Sequence, residues 1–395
     1  MDKKELEKKV DEILERGADE IIGKENLRKK LLSGEKLRIK FGIDPTSSNL
    51  HLGRAVPLLK LLDFQKLGHQ IVLLVGNATG VIGDTSDKDS ERPMLTHEMV
   101  EENMKSYKEQ AAKILDIKKV EVVYNADWLD KLSYKEIGEH ADCFSVHEFI
   151  SRDNIKKRLD AGKRVSLREV LYPLMQGYDS VAVRADVELG GTDQRFNLLA
   201  GRTLQGKFDQ EPQDIIMTNI ISGMDGRKMS SSWGNTINLT DPAREMGEKI
   251  MNMPDDVIED YFVHCTRIDL GEVAEILKIE DKRKQKIKLA QAIISIYYDE
   301  KIAGGETEFL RKKFIEKNVV DDVEKFKVKN GESILDFLVN SGGANSKGDA
   351  RRKIEQGGVS IDGEKVSDVK YIISENDNEK VLKVGKKFFR KIIIS

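Results

Sequence analysis

The sequence has few of the features that mark disulfide-stabilised, metal-binding or membrane-spanning proteins. Only two cysteines, Cys143 and Cys265, occur in 395 residues and they form no CxxC pair, which argues against a disulfide framework and a cysteine zinc site. The longest apolar stretches, such as 71–75, fall far short of the roughly 20 residues that a membrane helix needs. Neither charge dominates: 66 basic and 69 acidic residues give a net charge of −3, which excludes a globally basic nucleic-acid coat protein.

The composition is that of a globular protein. Hydrophobic residues make up 39% of the chain and charged residues 34%, which leaves enough apolar material for a sizeable core. At about 150 residues per domain, the length predicts two or three domains. The first residues mix both charge signs and contain no apolar run of signal-peptide length, so we expect a cytoplasmic protein.

The first part of the chain alternates between strand-like and helix-like patterns. Residues 37–43 alternate with period two, 52–67 show helical spacing, and 71–75 form the apolar run of a buried parallel strand. This pattern predicts an α/β fold with a Rossmann-like, doubly wound parallel sheet, whose ligand lies beyond the carboxyl ends of the strands. Further helices are predicted at 3–32, 96–115 and 142–159, and further strands at 119–124, 181–189 and 214–221.

The pattern changes twice toward the C-terminus. From about 244 to 327 the composition is nearly all helical, whereas the last segment combines two short helices, 333–339 and 347–355, with strand-like pieces. Asp362-Gly363, directly after a strand-like run, is a strong hairpin signal. We therefore predict a Rossmann-like catalytic domain with an N-terminal helix at 1–240, a helical domain at 241–330, and a small α+β domain at 331–395.

The first motif that carries chemistry is 42–54, Gly-Ile-Asp-Pro-Thr-Ser-Ser-Asn-Leu-His-Leu-Gly-Arg. It leaves a predicted strand and enters a helix near His51. A helix start offers unpaired N–H groups and the positive end of the dipole, which suits a phosphate. His51 adds a donor, and Gly53 would let a flat base approach the backbone. An ordinary capping histidine in a strand–helix loop would explain His51 alone equally well.

The second motif is 226–232, Gly-Arg-Lys-Met-Ser-Ser-Ser, in a loop after a predicted strand. Its projecting cation, Lys228, could meet the charge that develops on a phosphate in a transition state. Alone the motif is weak, because Lys-Met-Ser strings occur on many protein surfaces. The two motifs, about 180 residues apart in this order, form a much stronger pair.

Together the motifs resemble the His-Ile-Gly-His and Lys-Met-Ser-Lys-Ser signatures of the class I aminoacyl-tRNA synthetases, and the resemblance covers essentially the whole chain. The stretches 44–46, 172–179 and 190–194 resemble the tyrosyl members, bacterial type, second subgroup. The resemblance implies a tyrosine–tRNA ligase that activates tyrosine with ATP to tyrosyl-adenylate and pyrophosphate, and then esterifies the terminal ribose of tRNA(Tyr). Alternatives are a tryptophanyl enzyme on the same scaffold and a catalytically impaired RNA-binding relative.

A polar helix face is the candidate tyrosine pocket. Tyr172, Gln176 and Asp179 are spaced i, i+4 and i+7, so they share one face, although solvent exposure would also explain such a stripe. The resemblance implies that Asp179 accepts the tyrosine hydroxyl. It also implies that Tyr172 and Gln176 hold the ammonium group with Asp84, and that Asp193 and Gln194 meet the ribose and the reacting carboxyl region.

The resemblance implies further roles in ATP binding and catalysis. Lys88 and Arg92, in a loop that resembles the family's mobile loop, would clamp the pyrophosphate and, with His51 and Lys228, neutralise the triphosphate; an ordinary solvated loop is the alternative for either of the first two. The expected ATP-binding residues are Gly42, Asp44, Thr46, His51, Gly53, Gly191, Asp193, Lys228, Met229, Ser230 and Ser231. The expected catalytic residues are His51, Arg54, Lys88, Arg92, Lys228 and Ser231.

Three positions depart from the family pattern. Arg54 stands where the first signature has its second histidine, and it is bulkier and always charged. Ser231 replaces the second lysine of the other signature, which leaves Lys228 to supply most of the charge. Lys40 occupies the position of a tyrosine that helps to bind the substrate hydroxyl in one bacterial form, and we do not transfer that role to it.

The implied reaction needs ATP as a substrate, with Mg²⁺ carried on the nucleotide, and no tightly bound cofactor. The ionised carboxylate of tyrosine attacks the α-phosphate, so positioning and charge stabilisation suffice. The histidines show no metal-ligand spacing, so no metal site is predicted in the protein. We expect Trp128 to serve in packing or as a loop anchor.

The C-terminal segment resembles the RNA-binding domain of the ribosomal-protein-S-four type. Lys347, Arg351, Arg352 and Lys353 lie on one predicted helix and could meet backbone phosphates. Residues 383–391 add five cations and no anion, although a solvated charged face is as common an explanation for such a run. The resemblance further implies that the helical domain meets the anticodon arm of tRNA and that the protein is a homodimer.

Overall fold

The computed structural model describes residues 2–44, 49–82, 96–316, 324–385 and 388–395. The chain divides into two units, Met1–Leu310 and Arg311–Ser395. Within the described residues, no helix is both long enough and apolar enough to cross a membrane. Four residues of the predicted site lie outside the described residues: Thr46, Asp84, Lys88 and Arg92.

Six described strands of the first unit form one sheet, in the order β1-β6-β5-β2-β3-β4. All neighbours run parallel except β1, which pairs antiparallel with β6. The chain builds outward from β2 to β4 and then returns to β5 on the other side, so the topological switch point lies between β2 and β5. The predicted doubly wound sheet is confirmed. The strands are β1 (Ala18–Ile22), β2 (Arg38–Ile43), β3 (Gln70–Val75), β4 (Val120–Tyr124), β5 (Val187–Gly191) and β6 (Asp214–Thr218).

Helices connect and cover these strands. β3 is buried from Ile71 to Val75, as expected of a parallel strand covered on both faces. The helices between residues 2 and 240 are α1 (Lys3–Glu15), α2 (Lys24–Ser33), α3 (Leu52–Lys66), α4 (Asn77–Ile82), α5 (His97–Ala111), α6 (Ala126–Leu129), α7 (Tyr134–Ala141), α8 (Val146–Ile150), α9 (Asp153–Asp160), α10 (Leu167–Val183) and α11 (Arg195–Lys207).

The single helix predicted over 3–32 is wrong, because the structure places β1 between α1 and α2. Gly17 and Gly23 flank β1 with φ of +64° and +83°, a left-handed conformation that interrupts a helix and that glycine adopts at little steric cost. The pairing of Ile21 with Ile216 on β6 then stabilises the strand. Tertiary pairing overrides the helical spacing here.

Two other predicted boundaries are also wrong. The helix predicted over 142–159 is divided into α8 and α9, and the strand predicted from 181 begins only at Val187. The valines at 181 and 183 belong to α10 and are buried there. A short run of buried branched residues fits a helix as well as a strand, so periodicity alone does not separate the two.

Five described helices follow in the first unit, in the segment predicted to be helical. That prediction extended to residue 327, whereas the structure forms a strand at Lys325–Val328. The helices are α12 (Ala243–Asn252), α13 (Ile258–Cys265), α14 (Leu270–Leu277), α15 (Lys282–Tyr297) and α16 (Glu300–Arg311).

The second unit contains a sheet in the order β7-β11-β10-β8-β9 and two helices that share its apolar core. Asp362 and Gly363 have φ of +47° and +87°, the positive values that a two-residue hairpin turn requires. The predicted hairpin is therefore confirmed. The elements are β7 (Lys325–Val328), α17 (Ile334–Asn340), α18 (Lys347–Glu355), β8 (Val359–Ile361), β9 (Glu364–Lys365), β10 (Val381–Val384) and β11 (Phe388–Ile394).

Candidate active site

A cavity of about 570 Å³ opens at the carboxyl ends of β2 and β5, at the topological switch point. The sequence motifs that were separated along the chain meet in its walls. Every predicted tyrosine-binding, ATP-binding and catalytic residue that the structure describes lines this cavity: Gly42, Asp44, His51, Gly53, Arg54, Tyr172, Gln176, Asp179, Gly191, Asp193, Gln194, Lys228, Met229, Ser230 and Ser231.

The two signature motifs are in direct contact. The backbone N–H of Gly53 donates to Met229 Sδ at 3.3 Å. Behind it, the backbone of the first motif bonds to the chain that follows the second, from Leu52 N to Ile237 O at 2.9 Å and from Leu239 N to Leu50 O at 2.8 Å. These bonds fix the start of α3 against the loop that carries Lys228.

A buried asparagine shapes the Lys228 loop. Asn235 Oδ1 accepts from the backbone N–H of Ser230 at 2.8 Å, and Asn235 Nδ2 donates to Asp225 Oδ1 at 2.7 Å and to Lys228 O at 3.1 Å. The Lys228 ammonium lies 3.2 Å from Asp193 Oδ2, so it points across the cavity toward the end of β5. Nothing in the sequence singled out Asn235.

His51 is buried beside two cations. Burial, with help from Arg54 and Lys228, lowers its pKa to about 4. At neutral pH the imidazole is therefore uncharged, so it can donate a hydrogen bond to a phosphate without neutralising its charge. The role predicted for His51 beside a triphosphate stays a prediction, in which a neutral His51 would act as a hydrogen-bond donor.

The candidate hydroxyl acceptor, Asp179, is 2% exposed and both of its oxygens are engaged. Trp128 Nε1 donates to Oδ1 at 2.8 Å and Asn125 Nδ2 donates to Oδ2 at 3.2 Å. Burial raises the pKa of Asp179 to about 7, against the opposing effects of Lys40 and the two donors. Trp128, expected to serve in packing or as a loop anchor, instead restrains the Asp179 carboxylate through this hydrogen bond.

A hydrogen-bond network joins Asp179 to the first motif. Asn125 Nδ2 also donates to Thr79 Oγ1 at 2.9 Å, Thr79 Oγ1 donates to Asp44 Oδ1 at 2.8 Å, and the Tyr172 hydroxyl donates to Asp44 Oδ2 at 2.7 Å. Asp44, Thr79 and Asn125 follow the adjacent strands β2, β3 and β4, so the parallel register brings them together. One continuous polar network therefore links Asp179 to Asp44 and Tyr172, all three of which line the cavity.

The close approach within this network requires a glycine. A Cβ on Gly76 would lie 2.0 Å from Asp44 Oδ1 and 2.3 Å from Thr79 Oγ1, so any other residue would separate these two side chains.

Elsewhere at the cavity, Asn197 Nδ2 donates to Gln176 Oε1 at 3.0 Å and to Gln194 Oε1 at 2.9 Å. Asn197 thus orients two predicted tyrosine-binding amides, and no pattern in the sequence pointed to it.

Comparisons with known proteins agree with this geometry. A family model described as tRNA synthetases class I (W and Y) matches residues 32–316, and one described as tyrosine–tRNA ligase SYY-like C-terminal domain matches 315–392. The tyrosine–tRNA ligase of Thermotoga maritima is 43% identical over 386 residues, which is 96% of each chain. Tyrosine–tRNA ligase 2 of Clostridium acetobutylicum is 40% identical over 400 residues, which is 98% of this chain and 100% of the relative.

The chain belongs to the tyrosine–tRNA ligase family. The first family model covers both tryptophanyl and tyrosyl enzymes, but the C-terminal model and these relatives are tyrosyl. A crystal structure of the tyrosyl-tRNA synthetase from Archaeoglobus fulgidus, complexed with L-tyrosine, shares the fold. Its TM-score is 0.61 at 24% identity, over 78% of this chain and 100% of that chain.

Lys40 lines the cavity beside the predicted tyrosine-binding residues and forms a buried ion pair. Its ammonium lies 2.8 Å from Glu188 Oε1, 2.8 Å from Ser180 Oγ and 3.2 Å from the main-chain oxygen of Gln176. Lys40 and Glu188 are register partners on β2 and β5, and both are at most 1% exposed. Lys40 therefore ties the sheet to α10, the helix that carries Gln176 and Asp179.

We expect Lys40→Met to destabilise the ligase by about 3–5 kcal/mol, because it leaves the Glu188 carboxylate buried without its countercharge. The double variant Lys40→Met/Glu188→Leu should recover most of that loss, since an apolar pair of similar volume often replaces a buried ion pair without cost. Thermal and urea unfolding of the two variants measures this difference. A Lys40→Met protein as stable as the wild type would contradict the assignment.

The predicted RNA-binding residues of the ligase lie on α18 in the second unit. Three of the four are paired: Lys347 with Asp336 at 2.6 Å, and Arg352 and Lys353 with Asp349 at 3.6 and 3.1 Å. Arg351 is exposed and has no ion pair with a described residue. The predicted helix is present, but most of its positive charge is already compensated.

Proposed function

We propose that the protein activates tyrosine with ATP, giving tyrosyl-adenylate and pyrophosphate, and then transfers the tyrosyl group to the terminal ribose of tRNA(Tyr). The observation that carries the proposal is the single cavity shared by the Asp179 carboxylate and the His51–Lys228 pair of motifs. One end suits a phenolic hydroxyl and the other suits phosphates.

The reaction follows from how such a cavity holds its substrates. An oxygen of the tyrosine carboxylate attacks the α-phosphorus of ATP, the bond to the bridging oxygen breaks, and pyrophosphate leaves. The carboxylate is already ionised, so no protein base is needed, and the work is positioning and charge stabilisation. ATP enters with Mg²⁺ on its phosphates. Lys228 and Arg54 supply positive charge, and the His51 ring supplies an N–H donor.

Tyrosine is selected at the other end of the cavity. The Asp179 carboxylate accepts the substrate hydroxyl, while Trp128 and Asn125 keep both carboxylate oxygens in place. Phenylalanine would leave this buried acceptor without its partner, and an unsatisfied buried polar group is costly. Gln176 and Tyr172 lie on the same helix as Asp179, and we assign them to binding the amino group of the substrate tyrosine.

The direct test is ATP–pyrophosphate exchange with tyrosine, tryptophan and phenylalanine side by side. The proposal requires exchange driven by tyrosine and little by the other two. Exchange driven by tryptophan would favour the sister enzyme, and no exchange with any of them would favour a catalytically impaired RNA-binding protein, in which Arg54 and Ser231 disable the site.

We further propose that α12–α16 serve as the anticodon-arm domain and that the second unit binds tRNA. Removing residues 317–395 should leave tyrosine activation unchanged, because every described residue of the cavity lies before residue 240, and should weaken tRNA charging at least tenfold through the loss of phosphate contacts. Exchange and aminoacylation rates of the truncated and full chains measure both effects. Equal tRNA charging by the two proteins would contradict an RNA-binding role.

A homodimer completes the proposal. Large apolar side chains are exposed on neighbouring elements of the first unit: Tyr134 on α7 (93% exposed), Val146 on α8 (75%) and Leu167 on α10 (70%). α8 and α10 pack against each other in one hydrophobic cluster. Exposed apolar side chains on adjoining helices would be covered in a protein interface, and a second copy of this chain is the partner we propose.

We expect the double variant Val146→Glu/Leu167→Glu to be monomeric in light scattering, because charge is strongly disfavoured in the core of an interface. Ile302→Glu, at an apolar residue of similar type on α16 that is 41% exposed, is the matched control and should leave the mass unchanged. A wild-type protein that is already monomeric at micromolar concentration would refute the proposal.

A further inference from the structure

One face of the C-terminal sheet is covered by the helices of the second unit, and the other carries lysines. Side chains alternate between the two faces of a strand. Phe326 and Val328 on β7, Leu382 and Val384 on β10, and Ile392 on β11 pack into the core with α17 and α18. The alternate positions therefore lie on the opposite face, which we call the lysine face. Its members are Lys325, Lys327, Lys365, Lys383, Phe389 and Lys391, together with Ser360, Val381 and Ile393.

The register of the sheet aligns these side chains. Phe389 pairs with Lys383, Lys383 with Ser360 and Ser360 with Lys365, so one row crosses four strands. At about 4.8 Å between strands this row spans roughly 14 Å. In the next row Lys391 pairs directly with Lys325. The charges come from both ends of the unit's sequence, which is why no single run of residues displays them.

The charge of the lysine face is largely uncompensated. Lys325, Lys327, Lys365 and Lys383 are exposed, and none of them forms an ion pair with a described residue. Only Lys391 is paired, with Glu379 at 3.8 Å. Strand positions on this face hold no aspartate or glutamate among the described residues. Lys325 also lies directly opposite Lys391 on the neighbouring strand, where like charges repel, so a polyanion would relieve an electrostatic cost in the free protein.

An aromatic ring lies within this charge. Phe389 is half-buried, and the Lys383 ammonium lies 5.7 Å from its ring centroid. Lysines that follow a phosphate backbone, combined with an aromatic surface on which a base can stack, are typical of sites for single-stranded or looped nucleic acid. On α18, by contrast, Arg351 is the one of the four predicted RNA-binding cations that has no ion pair with a described residue.

We infer that the lysine face is the surface through which the second unit binds the RNA backbone, with Phe389 placed to stack on an unpaired base. The inference rests on the proposed function, because tRNA is the polyanion which that function brings to the protein. It assigns the principal RNA contact to the sheet rather than to α18.

The test measures tRNA affinity of the full-length protein at several salt concentrations. The triple variant Lys325→Gln/Lys327→Gln/Lys383→Gln should bind at least tenfold more weakly at about 0.1 M salt, and the slope of log affinity against log salt should become shallower by two to three, about one per lost phosphate contact. Phe389→Leu should weaken binding without changing the slope, because stacking releases no counterions.

Three matched variants make the result specific. Lys3→Gln/Lys4→Gln/Lys24→Gln changes the net charge equally on exposed lysines of the first unit and should bind as the wild type does. The Lys→Arg triple at 325, 327 and 383 keeps the charge and should also bind normally, which shows that the effect is not unfolding. Lys347→Gln/Arg351→Gln/Arg352→Gln on α18 should lose less affinity than the sheet variant.

The outcomes separate this inference from the proposed function. Tyrosine-dependent exchange should be unchanged in every variant, so a wild type without exchange activity would count against the proposed function. If the wild type charges tRNA but the sheet variant keeps its affinity and salt slope, the inference is wrong while the function stands. If the sheet variant loses binding to anionic lipid vesicles but keeps its tRNA binding, the lysine face is a membrane contact and the inference is wrong.

Discussion

Replacing Lys228 by alanine is expected to slow the formation of tyrosyl-adenylate by about 10²–10³-fold, the effect typical of losing one preorganised donor to a developing charge. The Lys228 ammonium already lies in the cavity, 3.2 Å from Asp193 Oδ2, and Ser231 leaves the motif without its second lysine. The loss should therefore appear in the rate of activation at saturating substrates rather than in tyrosine affinity. Rapid-quench measurement of adenylate formation in a single turnover isolates this step.

The matched control for Lys228 is its neighbour. Arg227→Ala removes another cation from the same loop, but the Arg227 guanidinium pairs with Asp225 and stacks over Trp233 at 4.7 Å from the ring centroid. We expect it to change the rate of activation only a few-fold. A Lys228→Ala enzyme with near-normal single-turnover rates, or an Arg227→Ala enzyme equally impaired, would show that Lys228 does not act on the transferred phosphate.

The sequence predicted the frame of the site well because the frame depends on repeating patterns. Alternating strands and helices predict a parallel sheet, and the rule that ligands lie at the carboxyl ends of such strands places the His51 and Lys228 motifs in one cavity. The contact of Gly53 with Met229 is what that reasoning required. The lone glycine-flanked strand β1 was missed because its pairing with β6 is a tertiary effect with no local pattern.

The supporting polar residues of the site were not predictable in the same way. Thr79, Asn125, Asn197 and Asn235 are single buried side chains that acquire their roles only when distant segments meet. Asn125 offers the clearest signal in retrospect, since it follows directly on β4 and the carboxyl ends of adjacent strands converge. Trp128 gave no such signal, because a tryptophan in an apolar setting is usually explained by packing alone. Its indole N–H meets the Asp179 carboxylate only once α10 has placed that side chain beside it.

Replacing Asp179 by asparagine is expected to lower kcat/KM for tyrosine by roughly 10–100-fold, since a hydrogen bond to a charged group contributes about 1.5–3 kcal/mol. The amide keeps the shape but loses the charge, and its NH2 group faces a donor, either Trp128 Nε1 or Asn125 Nδ2. Phenylalanine does not use the carboxylate, so its weak activation should change little. The ratio of tyrosine to phenylalanine activation should therefore fall by about the same factor.

Glu188→Gln is the control for this ratio. Glu188 is a second buried carboxylate near α10, but it bonds to Lys40, Ser180 and Gln213 and does not line the cavity. Its replacement should lower stability and leave the tyrosine-to-phenylalanine ratio intact. Equal loss of selectivity in both variants would mean that discrimination depends on packing in this region and not on the Asp179 carboxylate.

The pH dependence of tyrosine binding distinguishes the charge of Asp179 from its shape. Burial raises the pKa of Asp179 to about 7, so the ionised fraction, which is the better hydrogen-bond acceptor, increases as pH rises from 6 to 8. KM for tyrosine in the wild type should therefore fall over this interval. Asparagine does not titrate, so KM of the Asp179→Asn variant for tyrosine should not fall with pH over this interval. Any pH dependence that comes from ATP binding should remain. A tyrosine KM in the wild type that is flat from pH 6 to 8, or one that still falls in Asp179→Asn, would show that a different group sets the charge of the pocket.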